Sequence, residues 1–124
     1  MSKIAPLIYV ADDDAAILDL IAIVLTKNGF EVVVFPDGEA LVAAMALRAP
    51  AAVLLDVRMP GQSGLDALKG IKETPGGRDI PVLMLTGDGR LDRIVQAMQI
   101  GAAGYVMKPF EAGQLVERVW GLLA

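Results

Sequence analysis

Five short apolar runs, each followed by a stretch with helical spacing, set the limits on what this chain can fold into. Leu7–Ala11 is an unbroken apolar run of strand length, as expected of a strand covered on both faces. Glu31–Phe35 is short and β-branched, and residues 52–57, 82–85 and 104–108 complete the set, the last closed by Pro109. Ile17, Leu18, Ile21, Val24 and Leu25 recur at helical spacing, and Asn28-Gly29 supplies a stop. Leu41, Ala44, Met45 and Arg48 predict a second helix that Pro50 ends. Leu65, Leu68 and Ile71 mark a short third helix weakened by Gly70, and Leu91, Ile94, Val95 and Met98 a fourth ended by Gly101. Leu115, Val116, Val119, Leu122 and Leu123 line a fifth. Residues 36–38, 60–64, 74–77 and 87–89 read as turns or loops. This alternation predicts an α/β fold, a parallel sheet with helices on both faces and right-handed crossovers.

The residues that end the strands carry chemistry. The first runs into Asp12 and Asp13, the third into Asp56, the fourth into Thr86 and the fifth into Lys108. In an open parallel sheet the C-terminal strand ends form one edge, where ligands bind. Three carboxylates, a hydroxyl and an ammonium then converge on one cleft. Two unit charges 4 Å apart repel by roughly 4 kcal/mol at an effective dielectric of 20. A cluster of carboxylates therefore calls for a cation or a proton. A hard divalent ion such as Mg²⁺ suits oxygen ligands, and Lys108 adds a fixed positive charge. Such a set suits a phosphoryl group, with Thr86 as donor to one of its oxygens. Asp56, central among these groups, is the candidate nucleophile that becomes an aspartyl phosphate. Alone, the run Asp12–Asp14 reads first as a helix cap, and the other strand-end residues turn the reading to metal binding.

Composition narrows the alternatives. At 124 residues the chain fits one compact domain, and 55% hydrophobic residues suffice for a sizeable core. A net charge of −4 without a Lys/Arg cluster argues against direct nucleic-acid binding. The absence of Cys excludes disulfides and thiolate chemistry, and the absence of His excludes a histidine base on this chain. The start, Met1-Ser2-Lys3, has no signal-peptide layout, and no apolar run approaches the ~18 residues of a membrane span. A cytoplasmic location is the expectation.

Asp12-Asp13, Leu55-Asp56, Met59-Pro60, Gly64, Thr86, Tyr105 and Lys108-Pro109, in that order, resemble the receiver domain of two-component response regulators over essentially the whole chain. The layout is similar to single-domain chemotaxis-type regulators. The resemblance implies one receiver domain over residues 1–124, with a flavodoxin-like five-stranded sheet in the order 2-1-3-4-5. It implies a histidine kinase or histidine phosphotransfer protein that donates phosphate to Asp56. Asp12, Asp13, Asp56 and the backbone carbonyl of Arg58 would hold Mg²⁺ (or Mn²⁺). Lys108 would pair with a phosphoryl oxygen, Thr86 would move toward the phosphate, and Tyr105 would turn inward behind it. The Lys108–Pro109 bond is often cis in this family. The chain would catalyse only its own phosphotransfer and dephosphorylation. Its readout would be the face of the fourth helix, fifth strand and fifth helix, which docks a downstream protein or a second copy. The first helix carries more apolar residues than one face needs and would dock the phosphodonor. The chain ends with its last helix, so either it stands alone or it was cut from a longer protein.

Within the family's pattern, Ala11 stands where Val is common, and Ser63 replaces a frequent Asp before the loop glycine. Arg58 and Asp88 are expected to flank the cleft mouth and pair across it, slowing loss of the phosphate. Trp120 is expected to pack rather than to anchor an interface. Three other functions fit less well. A phosphatase of the haloacid dehalogenase type needs a second Asp where Arg58 stands. A flavodoxin-like FMN carrier needs a phosphate loop where Asp12–Asp14 would repel one. A degenerate receiver scaffold would lack key residues that are all present here.

Overall fold

The computed structural model describes residues 5–59, 63–87 and 91–123. The start at Met1-Ser2-Lys3, residues 60–62 of the third-strand loop and residues 88–90 lie outside the described residues. Five strands alternate with five helices: β1 (Leu7–Ala11), α1 (Ala15–Lys27), β2 (Glu31–Phe35), α2 (Gly38–Met45), β3 (Ala52–Asp56), α3 (Gly64–Glu73), β4 (Val82–Thr86), α4 (Leu91–Ile100), β5 (Gly104–Met107) and α5 (Ala112–Leu123). A short 3₁₀ turn, Gly77–Asp79, interrupts the connection into β4. All strands pair in parallel in the order β2-β1-β3-β4-β5. The expected flavodoxin-like architecture is the observed one.

Successive side chains along a strand point to opposite faces, and here both faces are covered. Tyr9, Ala11, Val53, Leu55 and Met84 join Leu41, Leu68, Ile71 and Ala97 in the core under α2, α3 and α4. Ile8, Val10, Leu54, Leu83 and Val106 join Leu18, Ile21, Leu25, Leu115 and Val119 under α1 and α5. That double coverage explains why β1, β3 and β4 are buried at every position. Among the described residues no helix is long and apolar enough to cross a membrane.

Three helices start on side-chain caps directly after a strand or its loop. Asp14 accepts from the amides of Ala16 (3.0 Å) and Ile17 (3.4 Å), Asp37 from Ala40 (2.8 Å), and Ser63 from Asp66 (3.2 Å). These bonds satisfy amides that have no partner within the helix. At the other end of α1 the stop falls as expected, with Asn28 as cap and Gly29 at φ +96°.

Some boundaries differ from the sequence expectation. β3 ends at Asp56 rather than residue 57, β4 runs on through Thr86, and β5 ends at Met107. The second helix stops at Met45 instead of running through Arg48 to Pro50. Past that end the Arg48 amide still donates to the Ala44 carbonyl at 3.2 Å, its guanidinium bonds Glu31 at 2.7 and 2.9 Å, and its carbonyl accepts from the Tyr9 hydroxyl at 2.7 Å. Tyr9 also packs edge-on against Phe35, with ring centroids 5.0 Å apart. Tyr9→Phe keeps that packing and removes the hydroxyl bond, so it is expected to lower stability by about 1 kcal/mol. Urea unfolding checks this, and an unchanged midpoint would show that water replaces the bond.

Candidate functional site

The order of the sheet places β1 between β2 and β3, so the chain's winding direction changes at the β1/β3 pair. Side chains beyond the C-terminal ends of these two strands stand at the crevice where such sheets bind ligands. Asp12 follows β1, and Asp56 ends β3. Asp12 is 1% exposed and Asp56 5%. Burying two carboxylates demands compensation, and Lys108, which follows β5, provides part of it. Its Nζ lies 2.6 Å from Asp12 Oδ2 and 3.5 Å from Asp56 Oδ2. Its backbone amide donates to the Thr86 carbonyl at 2.7 Å, which fixes the start of the Lys108 side chain against the end of β4. The Lys108–Pro109 peptide is cis.

Backbone amides complete the carboxylate shells. The Asp14 amide donates to Asp12 Oδ1 at 3.0 Å, and the Arg58 amide to Asp56 Oδ1 at 3.4 Å. The run Asp12–Asp14 therefore divides its labour: Asp14 caps α1, Asp12 is buried against Lys108, and Asp13 is exposed at the rim. One carboxylate oxygen each from Asp12, Asp13 and Asp56 lies within 4.8 Å of the other two.

The balance of charge at this point is unfavourable. Burial and the neighbouring Asp12 carboxylate push the Asp56 carboxyl from 3.8 up to about 6, more than Lys108 and the Arg58 amide pull it down. Burial works against the Lys108 ammonium too, but the two carboxylates outweigh it and hold Lys108 above its ordinary value. One ammonium thus serves two buried carboxylates, with a third carboxylate close by at the rim. The donor set is all oxygen, converges on a few ångströms and lacks positive charge, which fits a hard divalent cation.

Thr86 is 2% exposed and closes β4 beside this cluster. The Arg58 side chain is exposed, as is Tyr105, which stands outward from β5 at 41%. Asp88 lies outside the described residues, so the expected Arg58–Asp88 pair does too. Trp120 packs against Phe30, ring centroids 4.3 Å apart, while 43% exposed. On α1, Leu20 and Ile23 are exposed at 48% and 55%. The sequence reading did not anticipate that the Arg58 amide donates to Asp56; the offset of two residues, an ordinary Asx-turn spacing, was the available signal.

The comparisons with known proteins agree with this geometry. Residues 8–120 match the family model of the response regulator receiver domain. The chain is 40% identical over 113 residues to the DNA-binding response regulator MtrA of Mycobacterium tuberculosis, an alignment covering 90% of this chain and 48% of that protein. It is similar to the receiver domain of NtrX from Brucella abortus, at 35% identity and a TM-score of 0.85, covering 94% of this chain and 97% of that one. The chemotaxis protein CheY4 of Vibrio cholerae superposes with a TM-score of 0.93 at 24% identity, covering 97% and 100% of the two chains, a likeness of fold. The chain spans about half the length of the curated relatives it matches. A match that runs from β1 into α5 shows that this chain belongs to the response regulator receiver domain family.

Proposed function

We propose that Asp56 accepts a phosphoryl group from the phosphohistidine of a histidine kinase or histidine phosphotransfer protein. A carboxylate oxygen of Asp56 attacks phosphorus, the new P–O bond forms as the P–N bond breaks, and the donor imidazole departs. The observation that carries this reading is a buried, incompletely neutralised Asp56 lying 3.5 Å from the Lys108 ammonium. Asp12, Asp13, Asp56 and the Arg58 carbonyl would hold Mg²⁺ (or Mn²⁺). Bound there, the ion neutralises charge on the phosphoryl oxygens. Lys108 supplies a second cation to one phosphoryl oxygen, and the Thr86 hydroxyl donates to another. Catalysis by the domain is confined to acquiring its own phosphoryl group and losing it to water.

Phosphorylation would then bias a two-state equilibrium through Thr86 and Tyr105. The readout face is formed by α4, β5 and α5, where Val95, Met98, Tyr105 and Met107 are each more than 40% exposed. A downstream protein or a second copy would dock there, and the phosphodonor would dock on α1 through Leu20 and Ile23. Arg58, with Asp88, would limit access of water to the acyl phosphate. The domain itself leaves nucleic acid alone.

Incubation with Mg²⁺ and acetyl phosphate tests the reading. Intact-mass spectrometry is expected to show one added phosphoryl group on the wild type and none on Asp56→Asn. An adduct that persists in the variant, or none on the wild type, defeats it.

A further inference from the structure

Gly64 opens α3, is buried, and donates its amide to the Val57 carbonyl at 2.9 Å. A Cβ at this position would lie 2.0 Å from the Asp56 carbonyl oxygen and 2.9 Å from Val57 Cα. Both are backbone atoms, so no side-chain rotation relieves the clash. Its φ is not in the left-handed region, unlike those of Gly29, Gly76 and Gly101. The demand for glycine at 64 is therefore one of space. On its other flank the same segment is tied to β4, since the Val57 amide donates to the Leu85 carbonyl at 2.9 Å. The Asp56–Val57 peptide is clamped between β4 and the start of α3.

We propose that Gly64 is a positioning residue for Asp56: the bare Cα of α3's first residue sets where the end of β3 lies, and with it the reach of the Asp56 carboxylate toward Asp12 and Lys108. This deepens the acceptor reading and rests on it. An added Cβ at Gly29, Gly70, Gly76, Gly77, Gly87, Gly101, Gly104, Gly113 or Gly121 does not meet the backbone of a site residue in this way. At Gly104 an added Cβ meets the flexible tip of Arg118, and at Gly113 and Gly121 it meets nothing within 4 Å. Gly77 provides a matched control. A Cβ there would lie 1.7 Å from the Ile71 carbonyl oxygen, an equally severe backbone clash, but beyond the opposite end of α3.

Gly64→Ala and Gly77→Ala are compared by thermal unfolding, by titration with Mg²⁺ alone followed through backbone amide NMR shifts, and by phosphoryl uptake from acetyl phosphate. Both variants are expected to lose comparable thermal stability. Gly64→Ala alone is expected to weaken Mg²⁺ binding and to slow uptake about 10- to 100-fold, the effect of a reacting group misplaced by about 1 Å. Gly77→Ala should stay within about twofold of wild type in both site measurements, a local clash being costly to stability alone. If Gly64→Ala unfolds, the measurements are repeated in trimethylamine N-oxide, which favours the compact state. Equal behaviour of the two variants at the site overturns the proposal. So does a Gly64→Ala that stays unfolded in the osmolyte, which would make Gly64 a requirement of the fold at large. If the wild type takes up no phosphoryl group, the acceptor reading fails, and the Mg²⁺ titration still decides the role of Gly64.

Discussion

Without divalent metal at neutral pH, Asp56→Asn is expected to unfold at a higher temperature than the wild type. In the folded chain the Asp56 carboxyl is pushed up to about 6 from an ordinary 3.8, first by burial and then by Asp12. The folded state therefore holds the Asp56 proton more tightly than the unfolded state does. Its contribution to stability is present below the ordinary value and is lost as pH rises through about 6. Above that window the ionised group opposes folding by on the order of 2–3 kcal/mol. An Asn of nearly equal shape removes the charge, keeps an acceptor for the Arg58 amide, and leaves the Asp12–Lys108 pair in place. The expected gain in melting temperature is on the order of 10 °C for a domain of this size. Mg²⁺ should stabilise the wild type at neutral pH and leave the variant nearly unchanged, and the two melting curves should converge toward pH ~4. Calorimetric scans against pH with and without Mg²⁺ measure all of this. A variant less stable than the wild type throughout would show that the carboxylate is well compensated as it stands.

Lys108→Met is expected to act in the opposite direction in metal-free protein. Removing one partner of a buried ion pair leaves the other charged and unsolvated, at a cost of roughly 3–5 kcal/mol. The Lys108 side chain keeps 19% exposure, so the lower end of that range is the expected loss. With its ammonium held above 10.5 by the two carboxylates against the opposing effect of burial, the loss should be larger where Asp56 is ionised, above about 6, than where Asp56 is protonated, and should fade as the wild-type lysine deprotonates above 10.5. Mg²⁺ is expected to bind Lys108→Met more tightly than the wild type, because the ammonium no longer occupies Asp12 Oδ2 at 2.6 Å. Phosphoryl uptake should nevertheless fall, since the cation that would pair with a phosphoryl oxygen is gone. Urea unfolding with chelator and with Mg²⁺, together with a Mg²⁺ titration, separates these effects. Weaker Mg²⁺ binding in the variant would mean that Lys108 organises the acidic site instead of competing for it.

Much of this was legible in the chain because the physics that sets it is local. Strands covered on both faces must be apolar along most of their length, so Leu7–Ala11 and Ala52–Asp56 announce themselves, each apolar run stopping where a carboxylate begins. Asp14, Asp37 and Ser63 are ordinary caps at ordinary offsets. What stayed hidden depends on distant partners. Arg48 continues the helical pattern of α2, and only the fold shows that it lies past the helix end, bonded to Glu31 and Tyr9 far back in sequence. The three consecutive aspartates look equivalent as letters and differ only once Lys108 reaches one of them and α1 begins at another. Gly64 reads as a loop glycine, and its lack of room is visible only when α3 is seated against β3.

The bond between Lys108 and Asp12 spans 96 positions and joins the first strand's exit to the last strand's. During synthesis the acidic end of β1 leaves the ribosome long before the lysine that balances it. A nascent chain therefore cannot give the buried carboxylates their balancing ammonium until β5 has emerged and docked.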